Sequence, residues 1–476
     1  MSDNQLGRTV WLTLLVGLFI FALGFIRDEA RFMGFSLCKM DIFSDVRPSG
    51  LKAFRADTGA SPLPAPDSLP MPDSLALSAE GYDGLLPPAP PADPAIYGKW
   101  IEDYTPQQWG LEYFFRAVDS IRAGGKARVA YFGDSSIEGD LMLGDMRDSL
   151  QKVWGGKGVG FVPMVSEVAH YRRTFDQFFS NSKTTWRTYS VLKKEADRPA
   201  LGISGYAYRP VPGAYVRYER RPVFPQSRPW DHFVLYYASP LDNRLVWAAD
   251  NSEPVAVSLS SSDSGLARYA AGRPNMERLE LRFESSESLL VYGVSLESGP
   301  GLYIDNFGMR SNSGGAFTLI RPEMAQRFDA WLDYDLVVLQ VGLNAVTNSL
   351  KNINWYRREL EKTYAHLRAC FPKKPILIVS VADRGGNING ECGTMISVPH
   401  IVQMQRELAM EHGFLFFDLF SGMGGEGTMC DFAQRKPPLA AADKTHLSHE
   451  GGRLVGHMMA GLFLGEWNKR NFVNSQ

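Results

Sequence analysis

Arg128-Val-Ala-Tyr-Phe-Gly-Asp-Ser-Ser-Ile-Glu-Gly-Asp140 is the stretch from which the fold is read. Val129 to Phe132 is a short apolar run, the pattern of a buried strand. Gly133 and Asp134 turn the chain, and Leu141-Met-Leu-Gly-Asp-Met-Arg-Asp-Ser-Leu-Gln continues with the apolar spacing of a helix. A serine at a strand-to-helix junction has its hydroxyl held at the sheet edge. It lies near unpaired N–H groups and the positive end of the helix dipole. Ser135 is therefore the first candidate for an acyl-transfer nucleophile.

Further along, Asp335-Leu-Val-Val-Leu-Gln-Val-Gly342 reads as a buried strand and Trp355 to Cys370 as an amphipathic helix. Pro375 to Val381 is another strand, Val398 to His412 a helix, Phe414 to Leu419 a strand, and Glu450 to Trp467 a last helix. Strands alternating with helices predict an α/β fold, a three-layer α/β/α sandwich around a mostly parallel sheet. Between the first and second parts, from Phe161 to Gly299, β-branched and alternating runs recur between turn signals, as in His232-Phe-Val-Leu-Tyr-Tyr and Leu289-Leu-Val-Tyr-Gly-Val. They predict an inserted antiparallel β-sandwich. Trp186, Tyr206, Tyr208, Trp230, Tyr236, Tyr237 and Trp247 either stack on sugar rings or fill its core, and core is the preferred reading. Gly155-Gly-Lys-Gly-Val-Gly160 is read as a flexible turn, not a phosphate loop, because no βαβ unit surrounds it.

The amino-terminal part has a different composition. Val10 to Ile26 carries no charge and predicts an uncleaved membrane anchor. Residues 45 to 96 are rich in Pro, Ala, Ser and Asp, which cannot bury a core and favours an extended tether. The expected organisation is an anchor over 1–30, a linker over 31–98, an α/β domain over 99–160 and 301–476, and the β-sandwich over 161–300. Positive charges flank the apolar run on both sides, so they do not decide its orientation. The catalytic body is placed outside the cytoplasm, in the periplasm or at the cell surface. A formal net charge of −2 gives no basic excess for a nucleic-acid partner. The four cysteines show no C-x-x-C spacing, so a structural zinc is not expected. Cys392 and Cys430 both lie in loops, and their pairing is left open.

A nucleophilic serine needs a base, and the base an orienting acid. His446 lies in Asp443-Lys-Thr-His446, where an Asp three residues earlier can reach the far ring nitrogen across one turn. His449 competes but falls at the start of the last helix. The alternative is that Asp443 only caps a turn. For the oxyanion, Asn344 follows the strand ending near Gly342, on the same carboxyl rim as Ser135. The loop Asn306 to Gly315 is expected to add a glycine N–H, from Gly314 or alternatively from Gly308 or Gly315.

These residues resemble the blocks of the SGNH (GDSL-type) hydrolase superfamily. Gly133-Asp134-Ser135 matches Gly-Asp-Ser, Gly342-Leu-Asn344 matches Gly-x-Asn, and Asp443-Lys-Thr-His446 matches Asp-x-x-His. The blocks fall in family order, the glycine block being the poorest match, and Ala345 stands where many members are acidic. The resemblance implies a flavodoxin-like sheet, with Ser135 as nucleophile, His446 as base, Asp443 as its orienter, and Asn344 with a glycine N–H as oxyanion hole. It implies no metal or organic cofactor. The β-rich insertion and Met423-Gly-Gly-Glu-Gly are similar to Bacteroidetes-type envelope members that remove or transfer O-acetyl groups on glycans. The expected partners are an acylated glycan substrate, the membrane through the anchor, and a membrane-bound acyltransferase. A lipase or thioesterase on the same residues, or a non-catalytic glycan-binding protein, are the other readings.

Overall fold

The computed structural model describes residues 98–474, apart from 228, 263–264 and 285–287, together with a short hairpin, Ala30–Phe32 against Phe35–Leu37, that belongs to a separate unit, Met1–Asp83. The apolar run Val10–Ile26 and the Pro-rich stretch lie outside the described residues. Among the described residues no helix is long and apolar enough to cross a membrane.

Five parallel strands make the central sheet: β1 (Lys126–Gly133), β2 (Gly301–Gly308), β3 (Leu336–Gln340), β4 (Ile376–Val379) and β5 (Leu415–Phe417). Their order is β2-β1-β3-β4-β5, and the short strand Glu102–Asp103 adds antiparallel to β5. Alternate residues of β1 go to opposite faces, as the two-residue period of a strand requires. Val129 and Tyr131 join one core with helices Trp109–Ser120, Leu143–Trp154 and His449–Asn474. Ala130 and Phe132 join the other with helices Pro322–Leu332, Ile353–Cys370 and Ser397–Glu411. Both faces are covered, so the sheet lies in the middle of three layers.

The β-rich region holds two antiparallel sheets around a shared core. Trp186, Tyr208, Trp230, Tyr236, Tyr237 and Trp247 are buried, so these rings pack the interior, while Tyr206 is half-buried. The flexible turn expected at Gly155–Gly160 is not found. Lys157–Val162 is a strand paired with Leu290–Ser298. Its glycines serve close packing, because a Cβ at Gly158 would stand 2.3 Å from the Leu296 carbonyl and one at Gly160 2.2 Å from Asp305 Oδ1.

A buried charge network joins the two parts. Arg128, on β1, donates to Asp305 on β2 at 2.8 and 2.9 Å, to Glu297 at 2.6 Å and to Ser295 Oγ at 2.8 Å. Glu297 and Ser295 belong to the β-rich strand Leu290–Ser298. Tyr334 donates to Asp305 at 2.7 Å, and Lys126 to Glu297 at 2.7 Å. Truncating one partner of such a set leaves buried charge uncompensated. Arg128→Ala is expected to cost about 3–5 kcal/mol of stability. Denaturant unfolding checks this, and a loss below about 1 kcal/mol would contradict the welding role.

Candidate active site

The parallel register sets the rim. Gly133 pairs with Gly308 on one side and Gln340 on the other, and Gln340 pairs with Val379, so the carboxyl ends of four strands finish level. Ser135 follows β1 and Asn344 follows β3. This is the point at which the strand order switches direction, where open α/β sheets bind ligands. The helix after Ser135 begins only at Leu143. The expected contact of Ser135 with the first turn of a helix is therefore absent. Residues 134–142 form turns and a short 3-10 segment, Glu138–Asp140.

Three side chains form a row here. Ser135 Oγ lies 2.9 Å from His446 Nε2, and His446 Nδ1 lies 2.7 Å from Asp443 Oδ2. The other carboxylate oxygen of Asp443 accepts the backbone N–H groups of Thr445 and His446 at 3.0 and 3.1 Å. Turn capping and imidazole orientation are thus the work of one carboxylate. Burial would raise Asp443, but the hydrogen bonds from His446 and the Thr445 amide outweigh it and hold it below the usual carboxylate range. His449 does not join the row. It opens the last helix and stacks on Tyr171 with ring centroids 4.6 Å apart.

The His446 turn is braced from below. Gly385 N–H donates to the Lys444 carbonyl, and Ala441 N–H to that of His446. Cys392 and Cys430 are disulfide-bonded, tying the hairpin Gly385–Thr394 to the helix Thr428–Gln434. Asp383 accepts from Thr394 Oγ1 and Met429 N–H, both at 2.8 Å, across the same junction.

Asn344 is exposed on the rim, and its side-chain N–H donates to the Asn312 carbonyl at 3.0 Å. That uses one of its two amide protons and leaves the other available. Gly314, the glycine favoured from sequence, does not offer its amide. Its N–H is taken by Asn312 Oδ1 at 2.9 Å, and the residue is buried against Leu360 and Val341. The Gly308 amide is likewise taken, by Asn306 Oδ1 at 2.9 Å. Ser311, exposed and at a left-handed φ of 59°, sits three residues past the level of Gly133; neither its amide nor that of Gly315, the other glycine expected, makes a hydrogen bond among the described residues. A serine carries no glycine signal, so nothing local marks this position as left-handed.

Asp140 was given no role in the sequence, yet it fastens the turn. It accepts from Arg147 at 3.1 and 3.3 Å, Thr174 at 2.8 Å, Arg172 at 3.4 Å and Asn306 at 2.7 Å. Asn306 also donates to the Ile137 carbonyl at 2.8 Å. Asp134, fully buried, accepts the Ser136 N–H at 2.9 Å, and its own N–H reaches the Gln340 carbonyl at 3.2 Å. Among the described residues no cluster of three or more His, Cys, Asp or Glu side chains is placed to hold a metal ion.

No family model matches this chain, and no curated protein matches it. Among solved structures it is similar to a peptidoglycan O-acetylesterase, with a TM-score of 0.63 at 19% identity, over 78% of this chain and 99% of that one. It also aligns with a family two carbohydrate esterase from Cellvibrio japonicus (TM-score 0.25, 8% identity, 62% of this chain and 98% of that one). A third match is the acetyl xylan esterase AlAXEase (TM-score 0.25, 19% identity, 34% of this chain and 79% of that one). The first likeness is one of fold, and the other two are too weak to add to it.

Burial would raise the Asp140 carboxyl, but Arg147, Arg172 and the Asn306 hydrogen bond pull it well below the usual carboxylate range. A depressed folded-state pKa gives stability that is complete above the unfolded-state pKa and is lost as pH falls through the folded one. Asp140→Asn is expected to cost about 3 kcal/mol at neutral pH and to flatten the acid side of the stability curve. Equal acid-side slopes for wild type and variant in unfolding titrations would contradict this.

Proposed function

We propose that this chain is a serine-dependent acyl ester hydrolase or O-acyltransferase of SGNH type, acting on O-acetylated envelope or exported glycans. The observation that carries the reading is the hydrogen-bonded row Ser135–His446–Asp443 at the strand-order switch. In it, His446 Nε2 accepts the Ser135 hydroxyl proton as Oγ attacks the ester carbonyl. Asp443, kept ionised, accepts from Nδ1–H, fixes the tautomer and stabilises the imidazolium. The developing oxyanion takes hydrogen bonds from the free Asn344 N–H, the Ser135 amide and one amide of the rim loop, from Ser311 or Gly315, since that of Gly314 is taken. His446 then gives its proton to the leaving sugar oxygen. Water or a second sugar hydroxyl, activated by the same imidazole, releases the acyl group from Ser135. The two fates differ only in which nucleophile arrives.

Glycan ester as the substrate class is supported by the similarity in fold to a peptidoglycan O-acetylesterase. Openness agrees with a bulky substrate, since His446 and Asp443 side chains are 43% and 50% exposed. A short acyl group is supported by the apolar cavity beside His446, lined by Leu343, Met423 and Met429, whose volume is about 20 Å³. That space is on the scale of one water molecule, not a fatty chain. The disulfide supports an oxidising compartment, so we place the catalytic body outside the cytoplasm, held by the Val10–Ile26 run as a membrane anchor. A membrane-bound acyltransferase would be the partner if transfer, not hydrolysis, is the reaction.

Wild type is expected to react with a fluorophosphonate probe at Ser135, and Ser135→Ala to be inert. Labelling of the variant, or none of the wild type, would overturn the reading. Asn344→Ala is expected to lower kcat on p-nitrophenyl acetate by ~10²–10³, as loss of one oxyanion donor does. Rates along the p-nitrophenyl ester series are expected to fall steeply beyond acetate, and a preference for octanoate would favour the lipase alternative.

A further inference from the structure

A groove of about 830 Å³ opens between the β-rich region and the rim that carries Ser135. Its lining includes Gly308, Arg310 and Ser311 of the rim loop together with Lys183, Arg187 and Lys193 of the β-rich region. Glu138, three residues past Ser135, also lines it and accepts from Arg310 Nε at 2.8 Å. The groove is thus continuous with the turn on which Ser135 sits.

The class of ligand follows from charge. Five cations line the groove against two carboxylates, Glu138 and Glu167. Arg172, Arg187 and Arg310 are engaged by Asp140, Asp197 and Glu138. Lys183 and Lys193 are exposed and form no ion pair among the described residues. A cleft lined mainly by one sign concentrates ligands of the other.

We infer that this groove holds a run of acidic, carboxylate-bearing glycan, presenting one of its esters to Ser135. The inference deepens the esterase reading and rests on it for the role of Ser135, but the groove's ligand is testable without turnover. Binding is measured by isothermal titration calorimetry on the Ser135→Ala full chain, with a galacturonic acid hexamer and a neutral xylose hexamer as probes. The acidic hexamer is expected to bind at least about tenfold more tightly, with affinity falling as salt rises. The pair Lys183→Glu/Lys193→Glu is expected to weaken it about tenfold, the scale of two reversed exposed charges. Lys183→Gln/Lys193→Gln, which removes the two charges without reversing them, is expected to weaken it several-fold and keeps the test open should the charge-reversed pair misfold. Equal binding of both hexamers, no binding of the acidic one, or affinity indifferent to these changes would overturn the inference. Fluorophosphonate labelling of wild type in the same preparation tells the two failures apart: a labelled Ser135 with an indifferent groove sinks only the groove.

Discussion

The carboxylate of Asp140 is the constraint on which the geometry of the rim depends. Four side chains from three directions converge on it: Arg147 from the helix beneath, Asn306 from β2, and Arg172 and Thr174 from the β-rich region. The residue itself takes a left-handed φ of 61°, a conformation that a non-glycine side chain keeps only when its surroundings hold it there. Through Asn306, the same set grips the Ile137 carbonyl and the Gly308 amide. The turn between β1 and its helix has little regular structure to stiffen it. Its shape, and so the direction of the Ser135 hydroxyl, comes from buried hydrogen bonds: those to Asp140, and those that tie Asp134 to the Ser136 amide and the Gln340 carbonyl. The β-rich region therefore contributes to the position of the serine.

The second half of the row is built by different means. Asp443 and His446 sit three residues apart on one turn, and the carboxylate that orients the imidazole also closes the turn. This unit is half-exposed and is secured through backbone contacts to Gly385 and through the Cys392–Cys430 crosslink nearby. A rigid, buried mount for Ser135 faces an open, braced loop for His446. An ester on a large, solvated molecule can approach from the open side without local unfolding.

How much of this was legible in the sequence follows from the range of each interaction. The sheet was readable because apolar strands alternate with amphipathic helices. Ser135, Asp443 and His446 were readable as a row because each lies just past a strand or within one turn, where spacing alone fixes geometry. Asp140 was not, since its partners are 7 to 166 residues away and nothing local marks a carboxylate that will be buried. Gly314 misled for a related reason. Its flexibility serves a packed turn with its amide held by Asn312, while Ser311 in the same loop has a left-handed backbone that its residue type does not advertise. Gly155–Gly160 looked like a loop because close strand packing and turns demand the same residue.

The account stands or falls on a covalent bond to Ser135. Wild type mixed rapidly with p-nitrophenyl acetate, quenched in acid and digested, should yield the peptide containing Ser135 carrying one acetyl group. Its formation should match a burst of p-nitrophenol that His446→Ala abolishes. Steady acetate release with an unmodified Ser135 peptide at every quench time would contradict it.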